Sequence, residues 1–144
     1  MGRAAVTERV FVDTSVLVSA HDLDAEEKRA IAEHVVRQLW VDRSGVLSTQ
    51  VLYELYLKIT TAIAAPVSRH EARDLVNAYR VWPVMAIDLP DILAASSFSE
   101  RYRLSFRDGL IVAAALKARA DIVLSEALPS GDGISGLEIR NPFA

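Results

Sequence analysis

The chain has 144 residues, 51% of them hydrophobic, with 16 basic against 19 acidic residues and a net charge of −3. A domain of this length buries roughly 68–70% of its unfolded surface, which excludes disorder and any need for covalent staples. The absence of cysteine excludes disulfides and zinc–thiolate sites, and the acidic balance excludes a chain that coats nucleic acid through net charge, so a nucleic-acid partner needs a local basic patch.

No apolar run reaches the roughly 18 residues of a membrane span. The N-terminus lacks the long apolar core of a signal peptide. The expectation is a single cytoplasmic domain, residues 1–144, with no membrane partner. Residues 1–8 read as a polar lead-in. Val10, Phe11 and Val12 then form a buried strand that ends on Asp13, with Thr14 and Ser15 behind it. In open α/β sheets, ligands bind at the edge where such strands end. Asp24, followed three residues later by Glu27, has the spacing of a capping box. It opens a helix over about 25–41 with Ile31, Val35 and Leu39 on one stripe and Val36 and Trp40 beside it.

Val46 and Leu47 allow a brief buried strand. Ser48 and Thr49 offer an N-cap to a helix over about 50–63, with Leu52, Leu55, Tyr56, Ile59 and Ile63 on one face. Ser68 and Glu71 form a second capping box, opening a helix to about Arg80 through Ala72, Leu75, Val76 and Tyr79. Val84 to Ile87 reads as a buried strand ending at Asp88. Pro90 suits the first turn of a helix over about 90–103 that packs through Leu93, Ala94 and Phe98. Ser105 caps a helix over about 106–119 that is apolar almost all round, and so is buried on more than one side. Ile122 to Leu124 is a third strand, ending at Ser125 and Glu126. A Gly-rich loop over 130–136 leads to a last short strand, Leu137 to Ile139. Strands that alternate with helices imply parallel βαβ units and an α/β sandwich.

Each acid at a strand end has an ordinary use beside a chemical one. Asp13 can cap a following helix, yet a buried lone carboxylate is costly unless it is paired or on a metal. Glu54 lies roughly opposite the Leu52/Ile59 stripe, four residues before Lys58, and on periodicity alone reads as a solvated ion pair. Asp108 stands three residues after Ser105 and can complete a capping box. Asp88 and Glu126 read as turn acids. His21, His34 and His70 show no metal-ligand spacing, and the glycines form neither a Walker loop nor a dinucleotide fingerprint.

Four ordered blocks, FVDTS, STQVLYELY, LSFRDGLIVAAAL and VLSEAL with a closing NPF, resemble the PIN-domain ribonucleases, and most closely the VapC toxins of toxin–antitoxin pairs. The resemblance covers nearly the whole chain. It implies a PIN-like α/β/α sandwich, with a central, mostly parallel sheet flanked by helices and a cluster of acids that binds Mg²⁺ or Mn²⁺. Asp13 carries over as the first acid, Glu54 as the helix acid and Asp108 as the acid opening the buried helix. The fourth block of the family reads hydroxyl residue, any residue, Asp; here it is Ser125, Glu126, Ala127, so the aspartate position holds alanine. Glu126, one residue early, is the substitute metal ligand if the strand end bends.

The implied function is a Mg-dependent endoribonuclease toxin that cleaves RNA by a metal-activated water. Asp13 and Asp108 would hold the ion, Glu54 would hold it directly or through water, and Ser125 would add a hydrogen bond. The implied partners are an RNA substrate, a cognate antitoxin and a second copy of the chain. Trp40, Tyr53, Tyr56 and Trp82 are candidates for an apolar interface, against the ordinary and favoured reading of core burial for each. Arg69, Arg73, Arg80, Arg101, Arg103 and Arg107 are candidates for RNA backbone contact, against the ordinary reading of a solvated charged face. The alternative is a PIN domain weakened by Ala127 that binds RNA or antitoxin without efficient cleavage. An Asp-based phosphoryl enzyme ranks below both, because Ser15 stands where a haloacid-dehalogenase pattern wants a second Asp.

Overall fold

The computed structural model describes residues 8–144. Most of the lead-in expected over residues 1–8 lies outside them. Strand β1 (Val10–Val12) is followed by helices α1 (Thr14–Ser19) and α2 (Glu26–Asp42), then β2 (Gly45–Ser48), α3 (Thr49–Thr61) and α4 (Arg69–Ala78). Next come the short strand β3 (Val84–Met85), α5 (Leu89–Tyr102), α6 (Phe106–Lys117), β4 (Ile122–Leu124), β5 (Gly131–Ile134) and β6 (Leu137–Arg140). The strands form one six-stranded sheet in the order β3-β2-β1-β4-β6-β5. Every pairing is parallel except that of β5 with β6. This is the expected α/β fold, a mostly parallel sheet flanked by helices. No described helix is long and apolar enough to cross a membrane.

The central strands β1, β2 and β4 are buried along their whole length. Phe11, Val12, Leu47, Leu55, Ile59 and Ile111 are among the side chains fully enclosed at the core. Helix α6 earns its apolar circumference by burying Ile111, Val112 and the three alanines that follow. Gly109 lets α6 approach α5 closely: a Cβ there would stand 2.4 Å from the Ala95 carbonyl oxygen.

The segment after Asp13 is the short helix α1, and Asp13 caps it. Several local expectations change. The Asp24/Glu27 capping box does not form: Ala25 precedes α2 without a side-chain cap, and the Asp24 backbone N–H donates to the Asp22 carboxylate at 3.1 Å. The buried stripe of α2 runs through Ala32, Val36 and Leu39, with Ile31 and Trp40 at the surface. On α3 the buried stripe is Val51, Leu55 and Ile59, while Leu52 and Tyr56 are half-buried. On α5, Leu93 is exposed and Asp91 and Ala95 are buried. Strand β3 is two residues long and half-buried, as an edge strand can be. The Gly-rich loop contains β5, which turns back onto β6 through Ser135 and Gly136, both at positive φ. The Ser68/Glu71 capping box forms in both directions, at 3.2 and 3.0 Å.

Candidate active site

Parallel pairing of β2, β1 and β4 brings three chain segments to one rim. The Asp13 N–H donates to the Leu124 carbonyl at 2.9 Å, so Asp13 leaves β1 beside the end of β4. Ser125 follows β4 directly, and α3, which carries Glu54, follows β2. Asp108 arrives on the first turn of α6, where Ser105 caps the helix by accepting the Asp108 N–H at 3.0 Å.

Asp13 is 1% exposed and is hydrogen-bonded on both oxygens. Oδ1 accepts from the Thr14 N–H at 2.7 Å and from Arg107 Nη2 at 2.6 Å. Oδ2 accepts from Ser125 Oγ at 2.7 Å and from Arg107 Nη1 at 3.3 Å. Asp13 therefore caps α1 and faces the site at the same time. The buried Ser125 hydroxyl is itself fixed, since it accepts the N–H groups of Ala127 and Leu128 at 3.0 and 3.1 Å.

Glu54 does not pair with Lys58 as the periodicity suggested. Leu55, Ile59 and Ile63 are buried as expected, but burial of Val51 widens the inward face of α3 towards Glu54, whose side-chain exposure is 15%. Its Oε1 accepts from Thr14 Oγ1 at 2.6 Å and from Arg107 Nη2 at 2.7 Å, and its Oε2 from Arg107 Nε at 3.2 Å. Burial pushes the Glu54 carboxyl up, but the Arg107 and Thr14 donors outweigh it and hold the group below the usual carboxylate range. The Asp108 carboxylate turns to Arg107, accepting from Nη1 at 2.9 Å.

Arg107 is thus at the centre of the three acids rather than on a solvated face. Burial alone would lower its affinity for the proton. Hydrogen bonds to Asp13, Glu54 and Asp108 reverse that and hold the guanidinium above its already high value. Its fork of N–H donors suits several carboxylate oxygens at once. The adjoining cleft, about 320 Å³, is lined by Asp13, Ser15, Lys58, Ser105, Arg107, Asp108 and Ala127. Within it the Ser15 hydroxyl oxygen is buried without a hydrogen-bond partner among the described residues. Glu126 points elsewhere and forms an ion pair with Lys28. Asp88 lies apart as well, at the start of α5 beside Lys117.

Among the described residues, no three acidic or histidine side chains are arranged to hold a metal ion. Arg107 Nη2 stands between Asp13 Oδ1 and Glu54 Oε1 and occupies the oxygens that a cation would use. In this geometry the acids do not fit a divalent cation. Sequence reasoning named Arg107 only as one of six candidates for RNA backbone contact and gave Thr14 no role, so it missed their place among the acids. The available signal was charge: three acids at one sheet edge require a cation, and Arg107 is the residue next to Asp108.

The PIN domain profile matches residues 10–126. The chain belongs to the PIN domain family. No curated protein matches its sequence. Solved structures agree on the fold of this PIN domain. The FitAB complex bound to a DNA fragment matches with a TM-score of 0.66 at 14% identity, covering 94% of this chain and 96% of that one. A toxin–antitoxin complex from Klebsiella pneumoniae matches with a TM-score of 0.65 at 18% identity, covering 92% and 97%. The Mycobacterium tuberculosis toxin VapC20, described as cleaving the sarcin–ricin loop, matches with a TM-score of 0.61 at 19% identity, covering 90% and 98%.

Proposed function

We propose that this PIN domain is the toxin of a toxin–antitoxin pair, an endoribonuclease that hydrolyses RNA phosphodiester bonds in the cytoplasm. A cognate antitoxin neutralises it, and the toxin acts as a homodimer. One observation carries the reading: Asp13, Glu54 and Asp108, from three distant segments, converge on Arg107 at the C-terminal edge of a parallel sheet. Such crowding raises the carboxyl pKa values and destabilises the fold unless a cation answers it. The names of the structural neighbours support the toxin assignment, and an antitoxin partner follows from the complexes among them.

The chain's own groups divide the work by their surroundings. Asp13, with its oxygens taken by Thr14, Ser125 and Arg107, orients the cluster. Asp108, 15% exposed, lines the cleft and is the carboxylate that a water there can reach. It can accept the water's proton as the water attacks phosphorus and the P–O bond to the leaving oxygen breaks. Glu54 lies across Arg107 on the neighbouring cavity. Lys58 and Arg107 line the same cleft and present positive charge to the phosphate. Mg²⁺ or Mn²⁺ belongs to this proposal only with Arg107 displaced from the acids.

A second reading, an RNA-binding or antitoxin-binding PIN domain with little cleavage, is favoured by Ala127 at the cleft wall, where the family pattern has an acid. Inducing the chain in bacterial cells and mapping RNA ends separates the two. The nuclease reading predicts growth arrest with new internal RNA ends, both lost in Asp13→Asn. Arrest without new ends would decide for the second reading.

A further inference from the structure

Arg107 makes six hydrogen bonds to the cluster: two to Asp13, two to Glu54, one to Asp108 and one to Thr14. The two shortest, 2.6 and 2.7 Å, join Nη2 to the facing oxygens of Asp13 and Glu54. A hard divalent ion binds such oxygens at about 2.0–2.6 Å. It would need the same atoms from the same side, and it would repel the guanidinium at close range. The two cations exclude each other.

Building on the nuclease reading of this cleft, we propose that Arg107 is a tethered cation that stands in for the divalent ion and must leave the carboxylates before an ion can bind. Three features make the exchange feasible. Arg107 sits on the first turn of α6 next to Asp108, so its side chain can swing without moving the acid's backbone. Its side chain is 32% exposed, so the way to solvent is open. The cleft beside it has room and unanswered polarity, with the Ser15 hydroxyl unpartnered and Ala127 on the wall. An RNA phosphate is the natural acceptor for the released guanidinium, since it offers oxygens that the planar fork matches in pairs. Alanine at 127 fits the same design. Without a fourth carboxylate the pull on an ion is weaker, and one guanidinium comes closer to balancing the cluster.

The test is Mn²⁺ binding by calorimetry to the metal-free full chain, to Arg107→Ala and to Arg107→Ala/Asp13→Asn. Arg107→Ala should bind Mn²⁺ about tenfold or more tightly than the parent, within the usual range of site couplings. The Asp13→Asn change should erase that gain. Equal affinity in parent and Arg107→Ala overturns the proposal, and so does a gain that survives loss of Asp13. If Arg107→Ala does not fold, the near-isosteric Arg107→Gln carries the same comparison. RNA cleavage is assayed separately. Tighter Mn²⁺ binding with no cleavage by any variant supports the tethered cation and sinks the nuclease reading. Cleavage with unchanged Mn²⁺ affinity does the reverse.

Discussion

Arg107 Nη2 lies 2.6 Å from Asp13 Oδ1, although the two residues stand 94 positions apart in the chain. The contact joins the end of β1 to the start of α6. Without Arg107, Asp13 keeps its bonds from Thr14 and Ser125 but loses its counter-charge in a nearly dry position. Arg107→Ala should therefore lower stability in metal-free buffer by about 1–3 kcal/mol, below the full cost of breaking a buried pair because the arginine is one-third exposed. Urea denaturation measures this, and added Mn²⁺ should restore part of the loss.

Ser125 holds Asp13 from the other side while accepting two backbone N–H groups of the turn after β4. Ser125→Ala leaves those two N–H groups and one carboxylate lone pair without their partner. The expected loss is about 1–3 kcal/mol by thermal or urea melting. A change within a few tenths of a kcal/mol would mean that water replaces the hydroxyl.

The contact between α5 and α6 depends on Gly109. A methyl group there meets the Ala95 carbonyl at 2.4 Å, which is backbone and cannot rotate away. Gly109→Ala should destabilise the domain by about 1–3 kcal/mol despite alanine's better helix propensity. Because Asp108 is adjacent, RNA cleavage should fall as well.

Asp91 gives a pH signature away from the acid cluster. Burial pushes its carboxyl up, but Lys117 and the Asp88 N–H, at 2.8 and 3.0 Å, outweigh that and hold it below the usual range. A depressed carboxyl contributes stability above its unfolded pKa and loses it as pH falls through the folded value. Asp91→Asn should thus cost about 1 kcal/mol at neutral pH, in the range of a helix-cap bond. The difference from the parent should shrink as pH drops below the ordinary aspartate range. Melting both proteins across pH 2–7 checks the convergence.

Ala127→Asp would add a carboxylate to the cleft wall. With Arg107 displaced, that carboxylate would strengthen the pull on Mn²⁺, and RNA cleavage at fixed Mn²⁺ should rise about tenfold. An unchanged rate would mean that the alanine is not what limits this site.

The sequence made the frame legible because apolar runs of three or four residues, such as Val10–Val12 and Ile122–Leu124, coincide with strands of the buried sheet. Helix α1 was legible only through Asp13, whose reading as the cap of a following helix is borne out; its range was not set by the sequence. The stripe of α2 was displaced for a packing reason. Small Ala32 is fully buried, while the larger Ile31 is left at the surface, and no hydrophobicity ranking anticipates that. On α3, periodicity put Glu54 in solvent because it did not anticipate that Arg107 and Thr14 would hold its carboxylate. The convergence of Asp13, Glu54 and Asp108 was expected from family resemblance, because their separation in sequence hides it from local reasoning. Arg107 was one of six equivalent arginines until the fold put three carboxylates around it.

The most direct measurement is the single-turnover cleavage rate of one end-labelled RNA by the parent and by Asp13→Asn, both shown to be folded. The cluster as described predicts internal cleavage by the parent and a loss of about 100-fold or more in the variant. Equal rates would contradict the assignment of this cleft as the active site.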